Sequence, residues 1–261
     1  MEFRSVALWV SILFVLNALA SGSSLSVSDA LLVREVSPGD HIDHKVTVSI
    51  GKDQQELEAF AGIFGYGMGL DGARNPLEAE ADSNPYSARG FLKISPESAT
   101  LPPGEQVTFL IEGDVPDDVG SGGRYALAEI RTAPQGSTQV GISLAALVPI
   151  LLTINGTDLV HTGEITYLSA SSAEVSAIFE NTGNHHFKAN AEADLIDAEG
   201  EVVAKAEAPL MSNSLVPTAS WLFKMAFEAE EELAPGTYIV EVSVIHEDGT
   251  VLDTEETTFE V

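Results

Sequence analysis

The sequence predicts an all-β protein of two tandem β-sandwiches, and three observations predict it. One pattern of strands and turns occurs twice: LPPGEQVTFLIEGDVPDDVGSGGRYALAEIR over residues 101–131, and LVPTASWLFKMAFEAEEELAPGTYIVEVSVI over residues 215–245. In each, a Leu and a Pro precede an alternating strand, an acidic loop follows, and Gly-x-Tyr launches a second strand. Leu101 to Tyr125 spans 24 positions and Leu215 to Tyr238 spans 23. Elsewhere, short apolar runs are divided by turn residues at about ten-residue spacing, with no long helical period. A length of 261 residues suits two cores of ordinary size.

The elements follow in order. Residues 1–20 read as an export signal: Arg4 in a short polar start, an apolar run from Val6 to Leu16, and Ala18-Leu19-Ala20 as a small-x-small cleavage site. The run is short for a spanning helix, so cleavage is the reading and an uncleaved tether the alternative. Leu31 to Val36, Val46 to Ile50 and Leu57 to Tyr66 then read as strands. Between Gly67 and Gly90 the alternation dissolves, which leaves a long functional loop or a poorly ordered insertion. Phe91 to Ser95 restarts the sheet. Val140 to Ile154 carries no charge, yet Gly141, Ser143, Pro149 and Thr153 interrupt it, so it reads as a buried final strand bent at Pro149. Asn155-Gly156-Thr157 is a turn, a boundary and the one Asn-x-Thr glycan acceptor in the sequence, which makes Asn155 a glycosylation candidate.

The expected domains are therefore 21–157 and 158–261. In the second, Ile165 to Ala170, Val175 to Phe179, Phe187 to Ile196 and Val202 to Ala208 read as strands. Trp221, Phe223, Met225 and Phe227 share one face at period two, and Tyr238, Val240, Val242 and Val244 share the next. Gly-x-Tyr before a late strand is where immunoglobulin-like sandwiches place a corner tyrosine. Two positions on, where such domains often carry a cysteine, stand Leu127 and Val240. The expected fold is thus two tandem immunoglobulin-like β-sandwich domains after an N-terminal signal peptide, with both tyrosines at matching corners.

Composition narrows the function. Acidic residues outnumber basic ones 40 to 12, for a net charge of −28. Phosphate backbones need basic surface, so nucleic acid is not an expected partner. The chain has no cysteine, which removes disulfides, thiolate metal sites and thiol nucleophiles. No Gly-x-Ser-x-Gly elbow is present. In an extended segment His41 and Asp43 share a face while His44 points away, and the adjacent His185 and His186 diverge. No metal and no cofactor is therefore expected. Asp114, Asp117 and Asp118 lie in a loop closed by Gly120, Gly122 and Gly123, and Glu228 to Glu232 is a charge run. A weak calcium interaction stands there beside the plain reading of solvated acidic loops.

The loop from Gly67 to Gly90 is the partner-binding candidate. Tyr66 and Tyr86 offer amphipathic contact, Arg74 and Arg89 donors, and Asp71, Glu78, Glu80 and Asp82 acceptors.

SARGFLKISPESATLPPGEQVTFLIEGDVPDDVGSGGRYALAEI, together with VSAIFENTGNHHFKANAEADLIDAEGEVV, the Trp221 strand and APGTYIVEV, resembles the two modules of the WxL-interacting secreted surface proteins. The architecture bears a more distant likeness to pilus chaperones. The first resemblance implies a non-enzymatic protein that contacts cell-wall polymer and other surface proteins. The sequence lacks that family's C-terminal membrane helix and basic tail, as well as the chaperones' recognisable pair of basic residues. The functional expectation is a non-enzymatic, exported, prokaryotic cell-envelope module for binding, adhesion or assembly, with a surface protein or envelope polymer as partner. A chaperone-like helper for secreted subunits is the alternative, and an accessory module of a secreted enzyme a third.

Overall fold

The computed structural model describes residues 24–137, 140–227 and 233–261, so the expected signal peptide and the Glu228 to Glu232 run lie outside the described residues. Among the described residues, the first half carries twelve strands: β1 (Leu25–Ser28), β2 (Leu32–Val36), β3 (His41–Ile50), β4 (Leu57–Met68), β5 (Arg74–Leu77), β6 (Leu92–Ser95), β7 (Ser98–Leu101), β8 (Gln106–Asp114), β9 (Gly123–Thr132), β10 (Gln135–Ser137), β11 (Val140–Ile142) and β12 (Ala145–Ile154). One sheet runs β1-β3-β8-β6. The facing sheet runs β2-β12-β9-β4-β5 with β7 also on β4, and β10-β11 is a separate ribbon. Alternation places Ile42, Val46, Val48 and Ile50 inward from β3, against Ala126, Ala128 and Ile130 of β9 and Ile150 and Leu152 of β12.

Pro149 produces no break. It sits opposite Leu127 on β9, one residue before β12 begins its parallel pairing with β2 at Ile150↔Leu32. A missing N–H is tolerated there because no partner strand has started. The Gly67–Gly90 stretch is more ordered than its sequence suggests: β4 extends to Met68 and returns as β5.

Seven strands build the second sandwich: β13 (Gly163–Ala170), β14 (Glu174–Asn181), β15 (Ala189–Ile196), β16 (Val202–Ala208), β17 (Ser220–Ala226), β18 (Thr237–His246) and β19 (Val251–Glu260). Their sheets run β13-β14-β17 and β16-β15-β18-β19. The core sets small against large. Ala191, Ala193 and Leu195 face Ala208, Ala206 and Ala204 across β15 and β16. Phe179, Phe223 and Met225 from the other sheet fill the space those alanines leave. Asp253 Oδ2 accepts the Ile165 N–H at 2.7 Å and ties β19 to β13 along one side. The other side, between β16 and β17, carries no such tie among the described residues.

The two sandwiches share a third apolar cluster: Tyr66, Tyr125, Leu127, Leu151 and Val216, joined by Met68, Tyr86 and Ala219. The first-copy strand β9 is consequently buried on both faces. Leu127 does not fill its own sandwich, as its alignment with Val240 suggests. It faces the second one, while Val240 lies in the second core.

Candidate functional site at the domain junction

The loop of the first sandwich is folded against the second. Tyr66 is buried, its ring 6.2 Å from Tyr125 in an edge-to-face pair. Arg74 donates from Nε to the Tyr66 hydroxyl at 3.0 Å and from Nη2 to Asn213 Oδ1 at 2.6 Å. Asn213 in turn donates to the Gly72 carbonyl at 3.1 Å. Gly72 has φ +77°, and a Cβ there would lie 2.2 Å from the Trp221 ring, so only glycine brings this backbone onto that face. Asn84 reaches Thr218 Oγ1 at 3.0 Å, and Thr218 itself holds φ +67°. The predicted loop residues are thus divided. Tyr66, Arg74 and Tyr86 line the junction. Asp71 accepts the Ala73 N–H and shapes the loop tip. Asp82 is almost wholly buried and holds Ser87 at 2.6 Å and Arg89 at 3.3 Å through Oδ2. Glu78 and Glu80 are solvent-exposed. Asn213, Thr218 and Val216, which complete the contact, come from a stretch with no site-like signature.

Two grooves flank this contact. One, of about 520 Å³, is lined by Tyr66, Asn75, Ser83, Asn84, Val216 and Thr218 between the sandwiches. The other, of about 650 Å³, is predominantly apolar and runs from Leu70 past Leu210 and Met211 to Trp221, Phe223 and Lys224. Its wall is the outer edge of β17, a strand that among the described residues pairs with β14 alone. Leu222 N–H donates outward to the Leu70 carbonyl at 2.9 Å. Because edge groups alternate along an antiparallel strand, the N–H and C=O of Lys224 face the same groove.

On the far side of the junction, histidines gather. Asn181 is fully buried; it donates to the His185 and Leu215 carbonyls and accepts from Gly183 N–H, which fixes the turn ahead of them. His185 and His186 lie in a bend rather than a strand. Their rings are 4.2 Å apart and do not diverge as an extended reading requires. His185 Nδ1 bonds His161 Nε2 at 3.0 Å and its Nε2 bonds Thr153 Oγ1 at 2.9 Å. His161 stacks on His246 at 4.9 Å, and His246 Nδ1 meets Asp248 at 2.9 Å. The Tyr125 hydroxyl accepts from His186 N–H at 2.9 Å and lies 3.1 Å from His186 Nδ1. Burial, then the neighbouring imidazoles, holds His185 and His186 down to about 4, and burial with His246 lowers His161. Burial raises Tyr125 above the usual phenol range, so it remains a donor. No trio of His, Asp or Glu converges as a metal site among the described residues.

The remaining candidates are dispersed. Asn155 is exposed in its turn, while Thr157 Oγ1 donates to the Ile154 carbonyl and accepts from Gly122 N–H. His41 pairs with Asp114 at 2.7 Å on the surface, and His44 bonds the Asp29 carbonyl.

No protein-family model matches the chain, and no curated protein matches its sequence. Solved structures do align with it. The YadV chaperone does so at 11% identity and a TM-score of 0.42, over 91% of this chain and 99% of that one. The E. coli chaperone DraB aligns at 10% identity and a TM-score of 0.42, over 90% and 97%. The Pseudomonas aeruginosa CupB2 chaperone aligns at 14% identity and a TM-score of 0.38, over 86% and 95%. At this identity and superposition no residue role transfers. These structures correspond to the pilus-chaperone part of the resemblance, and no family model corresponds to the WxL-interacting part.

Proposed function

We propose that this chain is a non-enzymatic, exported envelope protein that acts as a chaperone-like helper, holding an extended segment of a partner protein in the apolar junction groove. The observation that carries the reading is the outer edge of β17. Leu70 already makes one strand-like hydrogen bond to it, and the next pair of backbone groups, at Lys224, faces a groove lined by Leu210, Trp221 and Phe223. An added strand would gain backbone hydrogen bonds from that edge and would bury alternate apolar side chains in the groove. Such a lining serves binding rather than bond breaking. The apolar run from Val6 to Leu16 with Ala18-Leu19-Ala20 supports export.

The test is a library of extended peptides with alternating apolar residues, screened against the wild type and Lys224→Pro. Proline at an outward edge position keeps the β14 pairing and removes one donor from the groove. Binding that weakens by about tenfold or more in the variant, about 1.4 kcal/mol, supports the reading. Equal binding by both proteins, or no binding by the wild type, overturns it.

A further inference from the structure

Four of the six histidines, His161, His185, His186 and His246, meet where the two sandwiches touch. They come from the connecting segment, the bend after β14 and the end of β18. Two of them bond the first sandwich directly, His186 to Tyr125 on β9 and His185 to Thr153 on β12. We propose that this cluster is an acid-released latch, which holds the sandwiches together while the His161, His185 and His186 rings are neutral and frees them on acidification before either one unfolds.

The contacts themselves limit how many of these rings can be charged at once. Between His161 Nε2 and His185 Nδ1, at 3.0 Å, one nitrogen must accept, so two imidazoliums cannot share the contact. His186 Nδ1 lies 3.1 Å from the Tyr125 hydroxyl, and its ring is 4.2 Å from that of His185, so charging both rings sets like charges against each other in a part-buried site. The charged groups around the cluster are few. Asp248 and Glu247 beyond β18 favour protonation of His161, but burial and His246 outweigh them. Lys188, near β15, spends its ammonium on the Ser212 carbonyl. From the first sandwich, Arg124 lies beside Tyr125, stacked 5.7 Å over Tyr86, with Tyr66 on the other side.

The sign follows from the depressed values. His185 and His186 sit at about 4 when docked, against an ordinary value of 6.5. Once undocked, they bind protons more readily. The docked state is therefore fully favoured above pH 6.5 and loses that advantage as pH falls toward 4.

The chain has no cysteine, so Lys93→Cys and Glu199→Cys give two unique exposed label sites, one per sandwich. Spin-label distances are measured from pH 7.5 to pH 4 beside far-ultraviolet circular dichroism. The expected result is a separation that widens with a midpoint between pH 6.5 and 4 while the strand signal holds. In the labelled His185→Gln/His186→Asn variant, which keeps comparable donors and acceptors without the titration, the distance stays short throughout. Ring proton signals of His185 and His186 in the unlabelled wild type give a second readout independent of that variant, and their midpoints track the separation. The proposal is overturned by release at the same pH in both proteins, by no release in the wild type, by release that coincides with loss of strand signal, or by ring midpoints about a pH unit or more from it.

Discussion

Tyr238 donates its hydroxyl to the Ala234 carbonyl at 3.0 Å, four residues upstream, and so closes a corner within its own sandwich. Tyr125, at the matching position of the first copy, turns outward and meets His186 of the other sandwich instead. The difference continues two residues on, where Val240 enters the second core and Leu127 the shared cluster. One sequence pattern thus serves two purposes, decided by whether a neighbour covers the outer face of the sheet. A strand with only one face covered needs one apolar stripe. A strand covered on both sides can place apolar residues on each.

Four sets of substitutions break or sharpen this contrast. Leu127→Ala removes a fully buried side chain from the junction and costs about 2–5 kcal/mol. Urea titration shows the loss as two separated transitions, whereas Val240→Ala weakens the second sandwich alone. Gly122→Ala comes next. The residue has φ +85°, and a Cβ would lie 2.2 Å from the Asn184 carbonyl oxygen, so strain of about 1–3 kcal/mol falls on the junction. Thermal melts of the intact chain register it as earlier release of the second sandwich. Tyr125→Phe leaves the part-buried His186 N–H unpaired at a cost of about 1–3 kcal/mol, and Tyr238→Phe loses one ordinary bond worth about 0.5–1.5 kcal/mol. Amide exchange distinguishes them: protection falls at His186 in the first and near Ala234 in the second. Smallest is Glu78→Ala with Glu80→Ala, both exposed, which changes the stability read from urea titration by no more than about 0.5 kcal/mol.

The strands of the second sandwich were legible because each has one wet face. Trp221, Phe223 and Met225 alternate with Leu222 and Lys224, and period two shows through. On β9 the run Tyr125-Ala126-Leu127-Ala128 lacks that contrast, a sign of burial on both sides that composition alone does not assign to a partner. The loop's fate was less legible. Tyr66, Arg74 and Tyr86 read as residues waiting for a ligand, and their contacts in the second sandwich come from Asn213 and Val216, about 130 to 150 positions away. The histidine cluster was hidden for a further reason. His185 and His186 diverge in an extended chain, and only the bend built on buried Asn181 brings their rings together. His161 and His246 then arrive from separate elements, so spacing carries no trace of the meeting.

Leu70 and Gly72 also bear on the order in which the chain can be finished. They are synthesised long before Trp221 and Leu222, so the surface that completes β17 already exists when that strand emerges. The second sandwich produced alone would lack it, leaving Trp221 uncovered and the Leu222 N–H without its acceptor on an exposed edge, a template for pairing between copies. The two halves look interchangeable as modules, yet the later one is born onto a scaffold supplied by the earlier.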